Sequence, residues 1–211
     1  ESYKRHVKDF ADFEIEFDNY YTTNSPENLD FCTTIFNRLK KNNALFYKDV
    51  PQLYCPNDKM FLPDRFVRGT CPKCGAKDQY GDSCEKCSNT YSPADMEDAH
   101  CAICNTGKPE IRNSEHIFFN LEMFRDFLAN WLKSHVASDV ANKLLEWFGE
   151  DSKLLPWDIS RDAPYFGFEI PDHPGKFFYV WLDAPVGYMA SLLNWCKKNG
   201  QDFEQWWNNK D

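Results

Sequence analysis

The sequence predicts a mixed α/β chain in which a cysteine-rich, metal-bound segment interrupts a framework of helices and strands. Two Cys-x-x-Cys pairs close together, apolar residues at helical spacing on both sides of them, and aromatic runs of strand length near the end carry that prediction. The chain has 211 residues, of which 42% are hydrophobic and 17% aromatic. That is enough apolar surface to bury a core, and it excludes a disordered chain. The longest apolar run, Phe177 to Leu182, is too short to span a bilayer, and no signal-peptide pattern opens the sequence. The first residue is Glu1 rather than Met, so the sequence reads as a piece of something longer.

The elements follow in order. Tyr3, Val7, Phe10 and Ala11 mark one face of a helix over residues 1–13. Phe13 to Phe17 alternates apolar and acidic residues and predicts a strand. Ser25 then caps a helix with Pro26 in its first position and Glu27 in its first turn, and Leu29, Cys32, Ile35, Phe36 and Leu39 keep the period. From Leu45 to about Met96 the expectation is short strands around the metal segment. Phe118 to His135 and Val136 to Phe148 read as amphipathic helices, with Leu121, Phe124, Phe127, Leu128 and Trp131 as a core stripe. Tyr165 to Ile170 and Phe177 to Leu182 read as extended runs around the turn Pro171 to Gly175. Asp183 is the expected cap of a helix carrying Val186, Met189, Leu192, Leu193 and Cys196, and a last helix surrounds Phe203 to Trp207.

Nine cysteines need a chemical explanation. Cys71, Cys74, Cys84 and Cys87 form two pairs separated by nine residues, a spacing that lets four thiolates close a tetrahedron around one ion. Zinc in a reducing compartment is the reading; an iron centre on similar knuckles and two redox pairs are the alternatives. Four ligands leave no seat for water, so such a site organises the chain and does not catalyse. Cys101 and Cys104 form a third pair, and Cys55 with Asp58 repeats its spacing with a carboxylate in the second place. These four residues either bind a second zinc or form a degenerate knuckle without metal. Cys32 and Cys196 read as core thiols.

The formal charge is -9, so the surface offers no broad basic face for counterion release and the chain is not expected to bind DNA. Arg38, Lys40 and Lys41, the one basic cluster, fall at a predicted helix end, where cations are favourable. Trp181, Ala184, Pro185 and Tyr188 fall at i, i+3, i+4 and i+7. They form either a core face or an apolar slot with a polar rim for a small amphipathic ligand.

Three strings occur together: Phe61-Leu62-Pro63-Asp64-Arg65-Phe66-Val67 leading into the first knuckle, Trp157-Asp158-Ile159-Ser160-Arg161-Asp162-Ala163-Pro164-Tyr165-Phe166-Gly167, and Tyr179-Val180-Trp181-Leu182-Asp183-Ala184-Pro185-Val186-Gly187-Tyr188-Met189. In this order and spacing they resemble the methionyl-tRNA synthetase family. Phe17-Asp18-Asn19-Tyr20 and Tyr80-Gly81-Asp82 extend the resemblance to nearly the whole chain. It implies part of a Rossmann-like class I synthetase catalytic domain interrupted by a zinc-knuckle and helical insertion. Residues 1–24 would end the first Rossmann half, 25–178 would be the insertion with its knuckle region at about 55–104, and 179–211 would return to the catalytic domain.

The resemblance further implies activation of methionine by ATP, with Mg2+, and transfer of the methionyl group to tRNA(Met) in the cytoplasm. Trp181, Ala184, Pro185 and Tyr188 match positions of the family's methionine pocket. Arg161 matches an arginine used in activation; its plain reading is an ion pair with Asp158 or Asp162. The family's HIGH-like and KMSKS signatures do not occur here, and Asn113-Ser114-Glu115-His116 does not stand in for the former. The chain is therefore expected to fold without activating methionine alone. A free-standing zinc ribbon that binds RNA or protein is the alternative. A zinc hydrolase is excluded by the closed ligand set and the lack of His-Glu-x-x-His.

Overall fold

The computed structural model describes residues 2–149 and 154–209. In chain order, the first half contains α1 (Ser2–Asp12), α2 (Pro26–Lys41), β1 (Leu45–Cys55), β2 (Met60–Phe61), β3 (Val67–Thr70), β4 (Gln79–Tyr80) and β5 (Glu97–Cys101). The second half contains β6 (Glu110–Phe119), α3 (Arg125–His135), α4 (Ser138–Leu145), β7 (Trp157–Asp158), β8 (Ser160–Asp162), β9 (Lys176–Phe178), α5 (Val180–Asn199) and α6 (Phe203–Trp207).

Helix α2 starts where its sequence signals place it. The Ser25 hydroxyl accepts from the Asn28 N–H at 3.2 Å, and Pro26 occupies the first turn, where a missing N–H costs nothing. Its buried residues Cys32 and Phe36 meet Leu182 and Val186 of α5, with Phe178, Ile117, Ile159 and Ile170 completing one core. The Phe36 ring stands edge-on to Phe178 at 5.6 Å. Helices α2 and α5 are also tied by polar contacts: Glu27 accepts from the Tyr21 hydroxyl at 2.7 Å and from Lys197 at 3.0 Å. Cys32 and Cys196 are buried thiols, as expected.

A four-stranded antiparallel sheet runs β2-β1-β6-β7, its spine a ten-residue ladder from Leu45 opposite Phe119 to Tyr54 opposite Glu110. Beyond β2, a three-stranded sheet ordered β4-β3-β5 builds a separate lobe. That lobe has its own small core of Cys55, Leu62, Val67, Met96 and Cys101. Strands β8 and β9 form a two-stranded ribbon leading into α5.

Several expectations are corrected. Phe13 to Phe17 forms no strand: Glu14 takes φ 58°, and the Phe17 ring packs locally on Phe10 and Tyr20 at 4.9 and 5.3 Å. The region after Leu45 holds one long strand, not only short ones, because β6 supplies a partner along its length. Phe118 lies in β6 rather than opening a helix, and Phe127 is 63% exposed with Trp131 also exposed; the buried residue of α3 is Leu132. Tyr165 to Ile170 is largely irregular, joined to β9 by one bridge from Glu169 to Phe177. The extended run expected from Phe177 to Leu182 stops at Phe178, in a strand paired antiparallel to β8. Helix α5 begins at Val180 with Tyr179 as its cap, and Asp183 lies inside the first turn. Leu182, Val186 and Ala190 bury one helical face, and that period prevails over the strand propensity of the preceding aromatics.

Candidate metal centres and the groove beside Arg161

Four short turns bring the sulfurs together. Cys71, Cys74, Cys84 and Cys87 place their Sγ atoms within 4.8 Å of one another, with Cys71–Cys87 at 3.9 Å and Cys74–Cys84 at 3.6 Å. Tetrahedral bonds of about 2.3 Å imply sulfur separations of about 3.8 Å, so the set fits one zinc ion. Cys55, Asp58, Cys101 and Cys104 converge equally well: Cys55–Cys104 is 3.7 Å, and Asp58 Oδ2 lies 3.2 and 3.0 Å from Cys55 and Cys101.

The backbone repeats at all four turns. The residue after each second ligand has a positive φ: 53° at Lys59, 70° at Gly75, 57° at Ser88 and 57° at Asn105. Backbone N–H groups point at the sulfurs, as from Lys73 to Cys71, Cys87 to Cys84, Ile103 to Cys101 and Gly107 to Cys104. Such donors favour thiolate over thiol. The second set therefore has the same built turn as the first, and the carboxylate is its one chemical departure. Gly107 is needed there, because a Cβ would stand 2.7 Å from Cys55 Sγ and 2.9 Å from Cys104 Sγ.

The titration pattern of each set is split. The Asn89 side-chain amide and then its N–H hold Cys87 down to about 6. At Cys74 the Ala76 N–H opposes, but desolvation and the neighbouring thiols push it up to about 12. Burial, then the Asp58 carboxylate, raises Cys101 to about 12, while Cys104 is lowered, first by the Thr106 N–H. Like charges this close cannot all ionise, and a divalent cation is the species that allows it. None of the nine cysteines is in a disulfide.

A groove of about 840 Å³ separates the knuckle lobe from the β8–β9 ribbon, with Asp64 and Asp82 on the lobe side and Arg161 and Tyr165 opposite. The Arg161 guanidinium lies over the Tyr179 ring at 3.8 Å and donates through Nη1 to the Ser160 carbonyl at 2.6 Å. Its Nη1 is 3.5 Å from Asp158 Oδ2. Behind it lies a residue that the sequence reading met only in the string Asn113 to His116 and gave no role. His116 is 1% exposed and sits between Asp158, 2.6 Å from Nδ1, and Asp162, 3.0 Å from Nε2. Burial opposes its charge, but the hydrogen bonds to the two aspartates outweigh it and raise the pKa above 6.5. Lys176 and the Ser114 hydroxyl complete the network on Asp162 at 2.6 and 3.0 Å. A polar residue at an inward strand position was the available signal.

The α5 residues divide. Ala184 and Tyr188 line a second groove against residues 16–23, where Gly187 lets the chain approach so closely that a Cβ would meet Thr23 at 2.8 Å. Trp181 and Pro185 lie on the same helix face, exposed, and line neither groove.

A family model described as "tRNA synthetases class I (M)" matches residues 1–211. The chain belongs to that family. It is 50% identical over 208 residues to the methionine–tRNA ligase of Bdellovibrio bacteriovorus, an alignment covering 98% of this chain and 30% of that protein. It is 52% identical over 213 residues to that of Neisseria meningitidis serogroup B, covering 96% of this chain and 31% of the relative. The chain thus spans about 30% of the length of the relatives it matches. Mycobacterium tuberculosis methionyl-tRNA synthetase in complex with methionyl-adenylate superposes with a TM-score of 0.56 over 89% of this chain and 32% of that one, at 16% identity. The shared fold is the mixed helix and strand architecture of that synthetase's catalytic region. Among the described residues no helix is long and apolar enough to cross a membrane.

Proposed function

We propose that the chain is the middle portion of a cytoplasmic methionine–tRNA ligase. In the complete enzyme methionine is activated by ATP, with Mg2+, to methionyl-adenylate and passed to tRNA(Met). One observation carries the reading: Arg161, in its family-matching string, faces a groove whose far wall is the knuckle lobe. A cation held beside a groove can stabilise charge growing on a phosphate, and that is the role proposed for Arg161. Trp181, Ala184, Pro185 and Tyr188 are proposed to contact the methionine side chain. Thioether sulfur against the two aromatic rings contributes about 0.3–1.5 kcal/mol. The exposed indole at Trp181 leaves part of that wall to segments of the longer relatives outside the matched third.

Both cysteine sets are proposed to hold zinc, Cys71, Cys74, Cys84 and Cys87 in one and Cys55, Asp58, Cys101 and Cys104 in the other. The donor distances and the common knuckle backbone support this. The ions are structural; they fix the lobe that forms the groove wall. The test is methionine-dependent exchange of labelled pyrophosphate into ATP. The complete enzyme should catalyse it, Arg161→Ala should lower it on the order of 100-fold, and the present chain alone should show none. Absence of exchange in the complete enzyme would overturn the reading.

A further inference from the structure

We infer that His116 is a positioning residue: by occupying the Asp158 carboxylate, it keeps the Arg161 guanidinium free for an anionic, phosphate-bearing group in the groove. This rests on the activation role proposed for Arg161, and deepens it. Asp158 Oδ2 is shared unequally, 2.6 Å from His116 Nδ1 and 3.5 Å from Arg161 Nη1. Its other oxygen accepts from the Ser160 N–H at 3.1 Å and hydroxyl at 3.2 Å. The carboxylate is therefore satisfied without the arginine.

Arg161 is anchored by the Ser160 carbonyl at 2.6 Å, the Asp158 backbone carbonyl at 3.5 Å and the Tyr179 face, and its Nη2 and Nε have no hydrogen-bond partner among the described residues. Charge counting agrees. Within the cluster of Asp158, Asp162, Lys176, Arg161 and an imidazolium at His116, cations outnumber carboxylates by one, and Asp64 and Asp82 on the lobe wall face that charge across the groove. Without the imidazole, Asp158 has the arginine as its nearest cation and draws it out of the groove. Gln52 places its amide nitrogen 2.8 Å from His116 Nε2; with both ring nitrogens donating to carboxylates, the amide must turn over to present its oxygen there. Cross-strand from His116 stands Lys48, which is exposed.

The geometry separates two conservative replacements. Asparagine places its amide nitrogen near the Nδ1 position and can still donate to Asp158; glutamine reaches toward Asp162 instead. Pyrophosphate exchange by the complete enzyme is measured for His116→Asn, His116→Gln and His116→Ala, each also combined with Arg161→Ala. Gln and Ala should lower kcat by about 10- to 100-fold, the scale of a misplaced catalytic group, with KM for methionine little changed. His116→Asn should recover most of the loss. In the Arg161→Ala background none should matter further, because the effect passes through that side chain. Thermal unfolding controls for folding, and if Ala does not fold, the Asn and Gln pair decides. Equal losses for Asn and Gln, or losses that add to Arg161→Ala, overturn the inference while leaving the proposed activity intact. An Arg161→Ala enzyme with undiminished exchange overturns both.

Discussion

Replacing Cys74 with serine removes one thiolate from the Cys71, Cys74, Cys84 and Cys87 set and tests what holds the lobe together. Apart from potential ligands, the lobe's buried core residues are Leu62, Val67 and Met96, with Leu53, Met60, Phe66, Tyr91 and Ala99 half-buried around them. Three such buried side chains contribute roughly 5–9 kcal/mol between them. A structural zinc contributes about 10–16 kcal/mol to a fold of this kind. Each ordered residue costs about 1–2 kcal/mol of backbone entropy, so the apolar contacts alone do not hold β3, β4 and β5 in place. Helix α2 and helix α5 should persist, because their shared core of Cys32, Phe36, Phe178 and Leu182 lies outside the lobe. Hydrogen exchange read by mass spectrometry should show lost protection between about residues 67 and 92 in Cys74→Ser, and retained protection in the two helices. Unchanged protection in the lobe would refute the structural role of the ion.

Gly107→Ala should displace Cys55 and Cys104 and abolish metal at the second set, leaving the first loaded, as read by metal content per chain; the 2.7 Å approach to sulfur gives the reason. Phe36→Ala should cost about 3–5 kcal/mol in urea unfolding, since the ring is fully buried against Phe178. Glu27 supplies a pH dependence: burial acts against it, but the Tyr21 hydroxyl, then its own backbone N–H and Lys197, lower its pKa from 4.5 to about 2. A depressed carboxylate stabilises the fold fully above about pH 4.5 and loses that contribution as pH falls towards 2. Glu27→Gln should flatten the urea midpoint across that window, and an unchanged slope would count against the α2–α5 tie.

The most legible features were those whose chemistry is local. Ser25 and Pro26 announce a helix start by satisfying its first N–H groups, and cysteine spacing announces the knuckles because a tight turn must aim two ligands at one point. Strand β1 was obscured by Lys48, Asp49 and Pro51; the proline is tolerated because β2 pairs only with Tyr54 and Cys55, leaving that edge open. Strand β6 was obscured for a different reason. Its inward residues include Ser114 and His116, polar side chains satisfied by Asp162 and Asp158 from more than forty residues away. Alternation of apolar and polar residues fails where the buried face carries a charged network, and here that network backs Arg161. The strand expected at Phe13 to Phe17 failed the opposite way. Alternation was present, but no neighbouring strand among the described residues pairs with it, so its apolar side chains remain exposed.

The ion count decides whether the two knuckle sets are what their geometry implies. Elemental analysis of the purified chain, with X-ray absorption at the zinc edge, should give two zinc ions per chain in a coordination shell dominated by sulfur with a minor oxygen share. A folded chain with β3 to β5 protected from exchange and no bound zinc would contradict it.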